Sequence, residues 1–397
     1  MAKITIPKYV KSILVSLQAR GHLAYLVGGC VRDYIMETHP QDWDICTSAL
    51  PEEVMAIFPD SRPTGIKHGT VTVIIGKKCA EVTAFRTEGD YRDHRRPESV
   101  TFVSDLISDL SRRDFTMNAI ALSPDGLISD PFGGIGDIER KTVKCVGDPD
   151  LRFDEDALRM LRALRFSARL GFTIDYDTLT AIERKAPLAA SLAPERVREE
   201  IEKILLSPRP ETLSALVSLG LLSRYVKYEG QKMPDFSSIS ALQKKPLPRW
   251  AAFGIMLKEH GFISSVESFL LSLRLDGTTV RCSEAAAEIL LTPLPEAKLG
   301  WKKLLNRYGV DAVTCAAVAF DAMNGTNFEK ELKAVLKSGE CFSVKYLAVT
   351  GDDLLDLGLR GRELGEMLSF LLEYVMEHPD RNRRDILLSL AKCSEES

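Results

Sequence analysis

Asp42 and Asp44 stand two residues apart, and on a strand side chains at i and i+2 project from the same face. Two carboxylates so placed repel each other unless a cation lies between them. A hard divalent ion with oxygen ligands, such as Mg²⁺, answers that need. Just upstream, the apolar run Leu26-Val27 closes on Gly28-Gly29, and Arg32 follows. Glycines let the backbone approach a phosphate closely, and the planar fork of Arg32 can pair with one. A strand over 79–86 places Glu81 opposite in facing to Val82, which offers a third carboxylate beside the pair. An isolated Asp-x-Asp is weak evidence, because any solvent-facing strand can alternate acids. With a glycine pair and an arginine at fixed distance, it points to metal-assisted chemistry on a nucleotide phosphate.

Two further stretches carry unusual chemistry. Ser111-Arg112-Arg113-Asp114-Phe115-Thr116-Met117-Asn118-Ala119-Ile120 reads as a helix start with two exposed arginines. Asp154-Glu155-Asp156-Ala157-Leu158-Arg159-Met160-Leu161-Arg162-Ala163-Leu164-Arg165 reads as part of one helix over 154–170. There Asp156 and Arg159 are i and i+3 neighbours, Arg162, Arg165 and Arg169 extend the stripe, and leucines form the apolar side. On the residues alone this is an amphipathic helix with acids in its first turn, favoured by the macrodipole, or a binding face. The charged segment 86–97, with Arg86, Glu88, Asp90, Arg92, Asp93, Arg95 and Arg96, is equally a solvated loop or a functional one.

The elements that must hold these groups follow from periodicity and punctuation. A helix over 7–18 ends at Gly21, and a strand over 24–27 enters the glycine turn. Ser48 is placed to cap a short helix over 51–58, and Gly76-Lys77-Lys78 joins strands over 70–75 and 79–86 as a hairpin. Asp130-Pro131-Phe132-Gly133-Gly134 closes a compact α/β region near residue 140. Beyond residue 146 strand signals fade and amphipathic helices dominate, beginning with 154–170, 176–185 and 194–206. The Pro- and Lys-rich stretch 243–248 reads as a loop among them.

At 397 residues the chain is long enough for several domains. Its 45% hydrophobic and 27% charged residues are ordinary for a globular protein. No run has the length of a membrane span, and residues 1–6 lack the apolar core of a signal peptide. Eight scattered cysteines without a C-x-x-C pair read as reduced packing thiols of a cytoplasmic protein, not a zinc site or a disulfide frame. A net charge of −4 means that any bound nucleic acid must meet locally clustered positive charge.

Taken together, Leu26-Val27-Gly28-Gly29-Cys30-Val31-Arg32-Asp33 and Asp42-Trp43-Asp44-Ile45 resemble the signature of the class II tRNA nucleotidyltransferases. That family holds the CCA-adding enzymes and bacterial poly(A) polymerases, within the polymerase-β-like nucleotidyltransferase superfamily. The resemblance implies that Asp42 and Asp44 bind the catalytic Mg²⁺, that Glu81 is the third family carboxylate, and that Gly28, Gly29 and Arg32 face the nucleotide. The run 112–119 resembles the family's second motif, with Arg113 meeting the triphosphate or sugar. Glu155-Asp156-x-x-Arg159 resembles its amino-acid template, which pairs with the incoming base and selects CTP and ATP. Glu155 then orients Arg159, and Arg162 and Arg165 line the pocket toward the phosphates. Ala193-Pro194-Glu195-Arg196-Val197-Arg198-Glu199-Glu200 resembles a fifth motif that braces the template helix. Near the end, 351–365 resembles the tail of Gram-positive-type members, with Arg360, Arg362, Arg381, Arg383 and Arg384 available to RNA phosphates.

The expected fold is α+β: a mixed-sheet nucleotidyltransferase head over 1–142, then an all-helical neck over 143–212, body over 213–310 and tRNA-binding tail over 311–397. The expected activity is template-independent addition of C, C and A to the acceptor end of tRNA from CTP and ATP. A-only or CC-only addition, a poly(A) polymerase and a catalytically dead RNA-binding relative are the alternatives. The completeness of residues 90–96 argues against the CC-only form. The pI near 6.0 and the lack of a strongly basic C-terminal extension argue against poly(A) synthesis. Intact Asp42, Asp44, Asp156 and Arg159 argue against a dead relative.

Overall fold

A computed structural model describes residues 5–88 and 100–393. The chain divides into two compact units, Met1–Arg224 and Tyr225–Ser397. Most of the charged segment 86–97 lies outside the described residues, and with it the 90–96 stretch that bears on CC-only addition.

The first unit opens with α1 (Lys8–Gln18), whose Val10, Ile13, Leu14 and Leu17 are fully buried, one stripe at helical spacing. Next come β1 (Ala24–Val27), α2 (Gly29–Ile35), β2 (Asp44–Thr47), α3 (Pro51–Ile57), β3 (Ser61–Gly65), β4 (Thr70–Ile75), β5 (Lys78–Ala84), β6 (Arg86–Glu88) and β7 (Val100–Phe102). After these follow α4 (Leu106–Ser111), β8 (Ala121–Leu122), β9 (Ile128–Ser129) and α5 (Gly134–Glu139). Seven strands form one sheet in the order β3-β4-β5-β2-β1-β8-β9. Only β2 and β5 run parallel within it, and their register sets Asp44 opposite Glu81. Partners in register on adjacent strands share a face, so those two carboxylates project together. β6 and β7 leave this sheet to pair with each other.

Two local readings change here. Ser48 does not cap α3; its hydroxyl accepts the Leu23 N–H, while Glu53 accepts the Leu50 N–H. Asp42 lies in a bend before β2 and is exposed, so Asp42 and Asp44 do not share a strand; Trp43 between them is buried and ends the free run of the chain.

A two-strand parallel pair, β10 (Thr142–Val143) and β11 (Thr173–Ile174), stitches the sheet region to the helices that follow. Those are α6 (Pro149–Glu155), α7 (Leu158–Leu170), α8 (Tyr176–Lys185), α9 (Pro194–Leu205) and α10 (Leu213–Ser218). The single helix expected over 154–170 is two. Asp156 is extended (φ −141°, ψ 102°) and separates α6 from α7. Its carboxylate accepts the Leu158 N–H at 3.1 Å, the kind of side-chain bond that starts a new helix in preference to continuing the old one. The first unit continues past residue 212 because α10 packs on α7 and α9.

The second unit is helical: α11 (Pro246–Glu259), α12 (Val266–Ser272), α13 (Gly277–Ile289), α14 (Lys298–Asn324), α15 (Phe328–Lys337), α16 (Gly351–Leu355), α17 (Arg362–Glu377) and α18 (Arg384–Cys393). The stretch 243–248 is loop only to Lys245; Pro246 begins α11, where its missing N–H costs nothing. Gly309 interrupts α14 at φ +80°. Leu354, Leu371, Val375 and Leu387 form a common core for α16, α17 and α18. No helix among the described residues is long and apolar enough to cross a membrane.

The turn that follows α4 is pinned from below by α5. Thr116 donates to Asp137 at 2.6 Å, and a Cβ on Gly134 would meet the Thr116 carbonyl oxygen at 2.2 Å. No rotamer can relieve a backbone clash. Gly134→Ala is therefore expected to cost about 3 kcal/mol or more, seen as a lowered urea midpoint; an unchanged midpoint would show that α5 does not press on this turn.

Candidate active site

Within the first unit, a cavity of about 720 Å³ opens between the sheet and α7. Of the residues expected from sequence, it is lined by Gly28, Gly29, Arg32, Asp44, Arg113, Asp156, Arg159, Arg162 and Arg165. Asp42 and Glu81 are outside its lining.

At one end, Gly28 takes φ +73°. A Cβ there would come within 3.4 Å of Arg113 Nη1 and 3.5 Å of Asp44 Oδ2, so the backbone edge, the carboxylate and the guanidinium meet at one point. Burial raises the Asp44 pKa, Glu81 and Asp42 raise it further, and Arg113 opposes them. The three carboxylates therefore feel one another although Asp42 and Glu81 stand outside the cavity. Among the described residues, no group of three or more His, Cys, Asp or Glu is gathered tightly enough to hold a metal by itself. One or two carboxylates completed by substrate phosphate oxygens suit Mg²⁺ chemistry, so the donor set fits that ion. Burial pushes the neighbouring Cys30 thiol up to about 12, which removes it as a nucleophile.

The arginines are not free surface charges. Arg32, only 2% exposed, sets Nε and Nη2 on Asp33 Oδ1 at 2.9 and 2.6 Å and Nη1 on Asn118 Oδ1 at 2.8 Å. Arg112 and Arg113, expected at an exposed helix start, follow the C-terminus of α4 and are mostly covered. Both fold back on Asp109, one turn earlier. Arg113 Nε is buried without a hydrogen-bond partner.

Asp114 ties the sheet side to α7. Its Oδ1 accepts the Phe115 N–H at 2.8 Å and Asn118 Nδ2 at 3.1 Å, and its Oδ2 accepts Arg162 Nε at 2.9 Å. Burial opposes its ionisation, but the charge and hydrogen bonds of Arg162, with help from Asn118, outweigh it and bring the carboxyl down to about 2. A continuous path thus runs Asp33, Arg32, Asn118, Asp114, Arg162. Phe166 adds an aromatic face to it, with the Arg165, Arg32 and Arg162 guanidinium carbons 3.9, 5.4 and 5.5 Å from its centroid. Arg165 is paired with buried Glu200 of α9.

At the other end lie Asp156 and Arg159. Arg196 of α9 grips Asp156 with two parallel bonds, Nη1 to Oδ1 at 3.2 Å and Nη2 to Oδ2 at 2.8 Å. Arg159 pairs with Glu155 and donates to the carbonyls of Arg152 and Arg112, each at 3.0 Å. The carboxylate and guanidinium are thereby held as separate units on the wall, not paired with each other.

His68, Arg86, Arg112, Asp114, Asn118, Phe166, Arg169 and Arg196 also line the cavity without having been singled out as binding residues. Arg112, Asp114, Asn118 and Arg196 sat inside recognised motifs, so the signal was present. His68 comes from the β3–β4 connection, where no local pattern marks it, and Arg86 opens β6 within the charged segment 86–97. In the second unit, Arg362, Arg381, Arg383 and Arg384 of the expected RNA-phosphate set face acidic neighbours Glu366, Asp380, Asp385 and Asp353.

Residues 24–144 match the family described as Poly A polymerase head domain, and residues 171–227 that described as Probable RNA and SrmB- binding site of polymerase A. The chain is 38% identical to the CCA-adding enzyme of Anoxybacillus flavithermus (strain DSM 21510 / WK1) over 398 residues, which cover 97% of this chain and 96% of that protein. It is 52% identical to the CCA-adding enzyme of Geobacillus stearothermophilus over 210 residues, 53% of this chain and 52% of that protein. The crystal structure of the Bacillus stearothermophilus CCA-adding enzyme in complex with CTP superposes with a TM-score of 0.83 at 34% identity, covering 99% of this chain and 100% of that one.

Because the Asp114 pKa is depressed in the folded protein, its contribution to stability is complete above the ordinary carboxylate range and is lost as pH falls toward about 2. That contribution is about 2 kcal/mol. The stability gap between the parent protein and Asp114→Asn should therefore narrow by that order between pH 4 and pH 2, followed by urea unfolding across that range. A gap independent of pH would show that Asp114 is not held ionised by Arg162.

Proposed function

This chain belongs to the CCA-adding enzymes, and from that membership we propose how its own residues carry out the addition of C, C and A to the 3′ end of tRNA. CTP and ATP are the donors, and pyrophosphate is released. The RNA 3′-hydroxyl attacks the α-phosphorus in line; the new O3′–Pα bond forms as the bond from Pα to the β-phosphate oxygen breaks.

Asp44, with Asp42 beside it, would hold Mg²⁺, and Glu81 adds negative potential from the adjacent strand. When bound there, the ion supplies charge neutralisation for the triphosphate and for the attacking and leaving oxygens. Support comes from Asp44 being half-buried among like charges, an arrangement that a divalent cation relieves. Gly28 and Gly29 admit the phosphate chain against the backbone. Arg113, Arg32, Arg162 and Arg165 present positive charge to it from fixed anchors, so little reorganisation is needed when the nucleotide enters.

Base choice would lie with Asp156 and Arg159. A carboxylate acceptor beside a guanidinium donor matches the N4 amino group and N3 of cytosine and the N6 amino group and N1 of adenine. Uracil and guanine present a carbonyl where the amino group should be and a ring N–H where the acceptor should be. Two unmatched buried contacts disfavour them by several kcal/mol. The observation that carries this reading is the Arg196 fork on Asp156: it holds the carboxylate in one orientation while leaving lone pairs for a base.

We propose further that residues 1–142 are the catalytic head, 143–212 the nucleotide-selecting neck, 213–310 the body and 311–397 a tRNA-binding tail, in a cytoplasmic protein. A tail of this kind meets RNA through its backbone and shape, not its sequence.

Labelled CTP and ATP supplied to tRNA transcripts ending at the discriminator base or at CC should both be incorporated, in the order C, C, A, and incorporation should stop with EDTA and return with Mg²⁺. Use of ATP alone on CC ends would instead indicate an A-adding enzyme. Asp42→Ala should lose at least about 10³-fold in turnover while still binding tRNA, the loss typical of removing one key electrostatic group. Asp156→Ala should accept UTP or GTP, or lose all four nucleotides. Wild-type discrimination in that variant would remove Asp156 from the base-reading role.

A further inference from the structure

Asp109 is fully buried at the base of the cavity, yet it does not line the cavity and belongs to none of the recognised motif residues. A carboxylate so placed costs free energy unless every lone pair is used. Here four donors use it. Arg112 Nε and Nη2 reach Oδ1 at 3.0 and 2.7 Å, the Arg86 N–H reaches the same oxygen at 3.3 Å, and Arg113 Nη2 reaches Oδ2 at 3.0 Å.

Each donor leads to a different part of the site. The Arg113 guanidinium stands over Gly28 beside Asp44, at the phosphate end. Arg112 passes its backbone carbonyl to Arg159 Nη2 at 3.0 Å, at the base-reading end. Arg112 Nε also donates to the Arg86 carbonyl at 3.0 Å, so Asp109 and Arg112 hold both backbone polar groups of Arg86, where the chain leaves the large sheet.

We propose that Asp109 is a positioning residue for nucleotide selection, one buried carboxylate that sets the phosphate-contacting Arg113 and, through Arg112, the base-reading Arg159 in a common register. The assignment rests on the activity proposed above and extends it to a residue that touches neither substrate nor metal. Replacing the carboxylate with an amide of the same shape removes the negative charge that Asp109 sets against the two largely covered guanidiniums. Both then reorient, and the two ends of the cavity lose their shared reference.

The test compares the full-length protein with Asp109→Asn in two measurements: equilibrium binding of CTP, and initial rates of CMP, AMP and UMP addition to tRNA transcripts. The expected outcome is CTP affinity weakened about tenfold or more, KM for CTP and ATP raised in parallel, kcat changed less, and CTP-over-UTP preference reduced about tenfold. A purely structural role would lower the active fraction and hence apparent kcat, with KM, affinity and preference unmoved; that outcome overturns the proposal. If Asp109→Asn does not fold, Asp109→Glu keeps the charge but pushes the carboxylate outward by one methylene. It should show the same shifts to a smaller degree, and unmoved affinity and preference in that variant would equally overturn the assignment. Failure of the parent protein to extend tRNA would refute the proposed activity, and the CTP-binding comparison would still decide the role of Asp109.

Discussion

Guanidinium groups repel one another, and Arg32, Arg112, Arg113, Arg159, Arg162, Arg165 and Arg196 all converge on a single cavity. The arrangement exists because buried and partly buried carboxylates are distributed among them: Asp109 beneath Arg112 and Arg113, Asp114 beneath Arg162, Glu155 beside Arg159, Asp156 facing Arg196, and Glu200 facing Arg165. Each carboxylate neutralises its arginine on the protein side and leaves donor edges turned toward the cavity. The net effect is a wall that remains attractive to a triphosphate while being tolerable to fold.

That distribution also explains why the first unit is built from pieces distant in sequence. Asn118 accepts from Arg32 and donates to Asp114, and Asp114 in turn holds Arg162. The helix after the glycine pair, the turn after α4 and helix α7 are thus joined by one chain of charge-assisted bonds. Burial makes each link stronger and makes a missing link more costly. The groups proposed to bind phosphate and to read the base share this frame, which suits an enzyme that must select a nucleotide without a nucleic-acid template.

The Asp44 end follows a different logic. Burial and the nearest carboxylates disfavour the ionised form of Asp44, and Arg113 opposes them. A protein tolerates such a concentration where a cation is to be received.

Much of this was legible in the chain. Gly28-Gly29, Arg32, Asp44, Arg113, Asp156 and Arg159 were identifiable because motif spacing survives folding within a local element, and the change from strand to helix periodicity after residue 146 marked the α+β organisation. Short-range geometry was read less well: Asp42 sits in a bend, Asp156 breaks a helix in two, and Arg112 and Arg113 lie under cover. Burial of Trp43 accounts for the first; the other two are local, the Asp156 carboxylate accepting the Leu158 N–H and Arg112 and Arg113 folding back on Asp109 one turn earlier. The sequence by itself determined which chemical groups are present and in what order. Only the tertiary structure decided the pairings of Asp114 with Arg162, Asp156 with Arg196 and Glu200 with Arg165, because they join residues 35 to 48 positions apart at distances that no periodicity encodes.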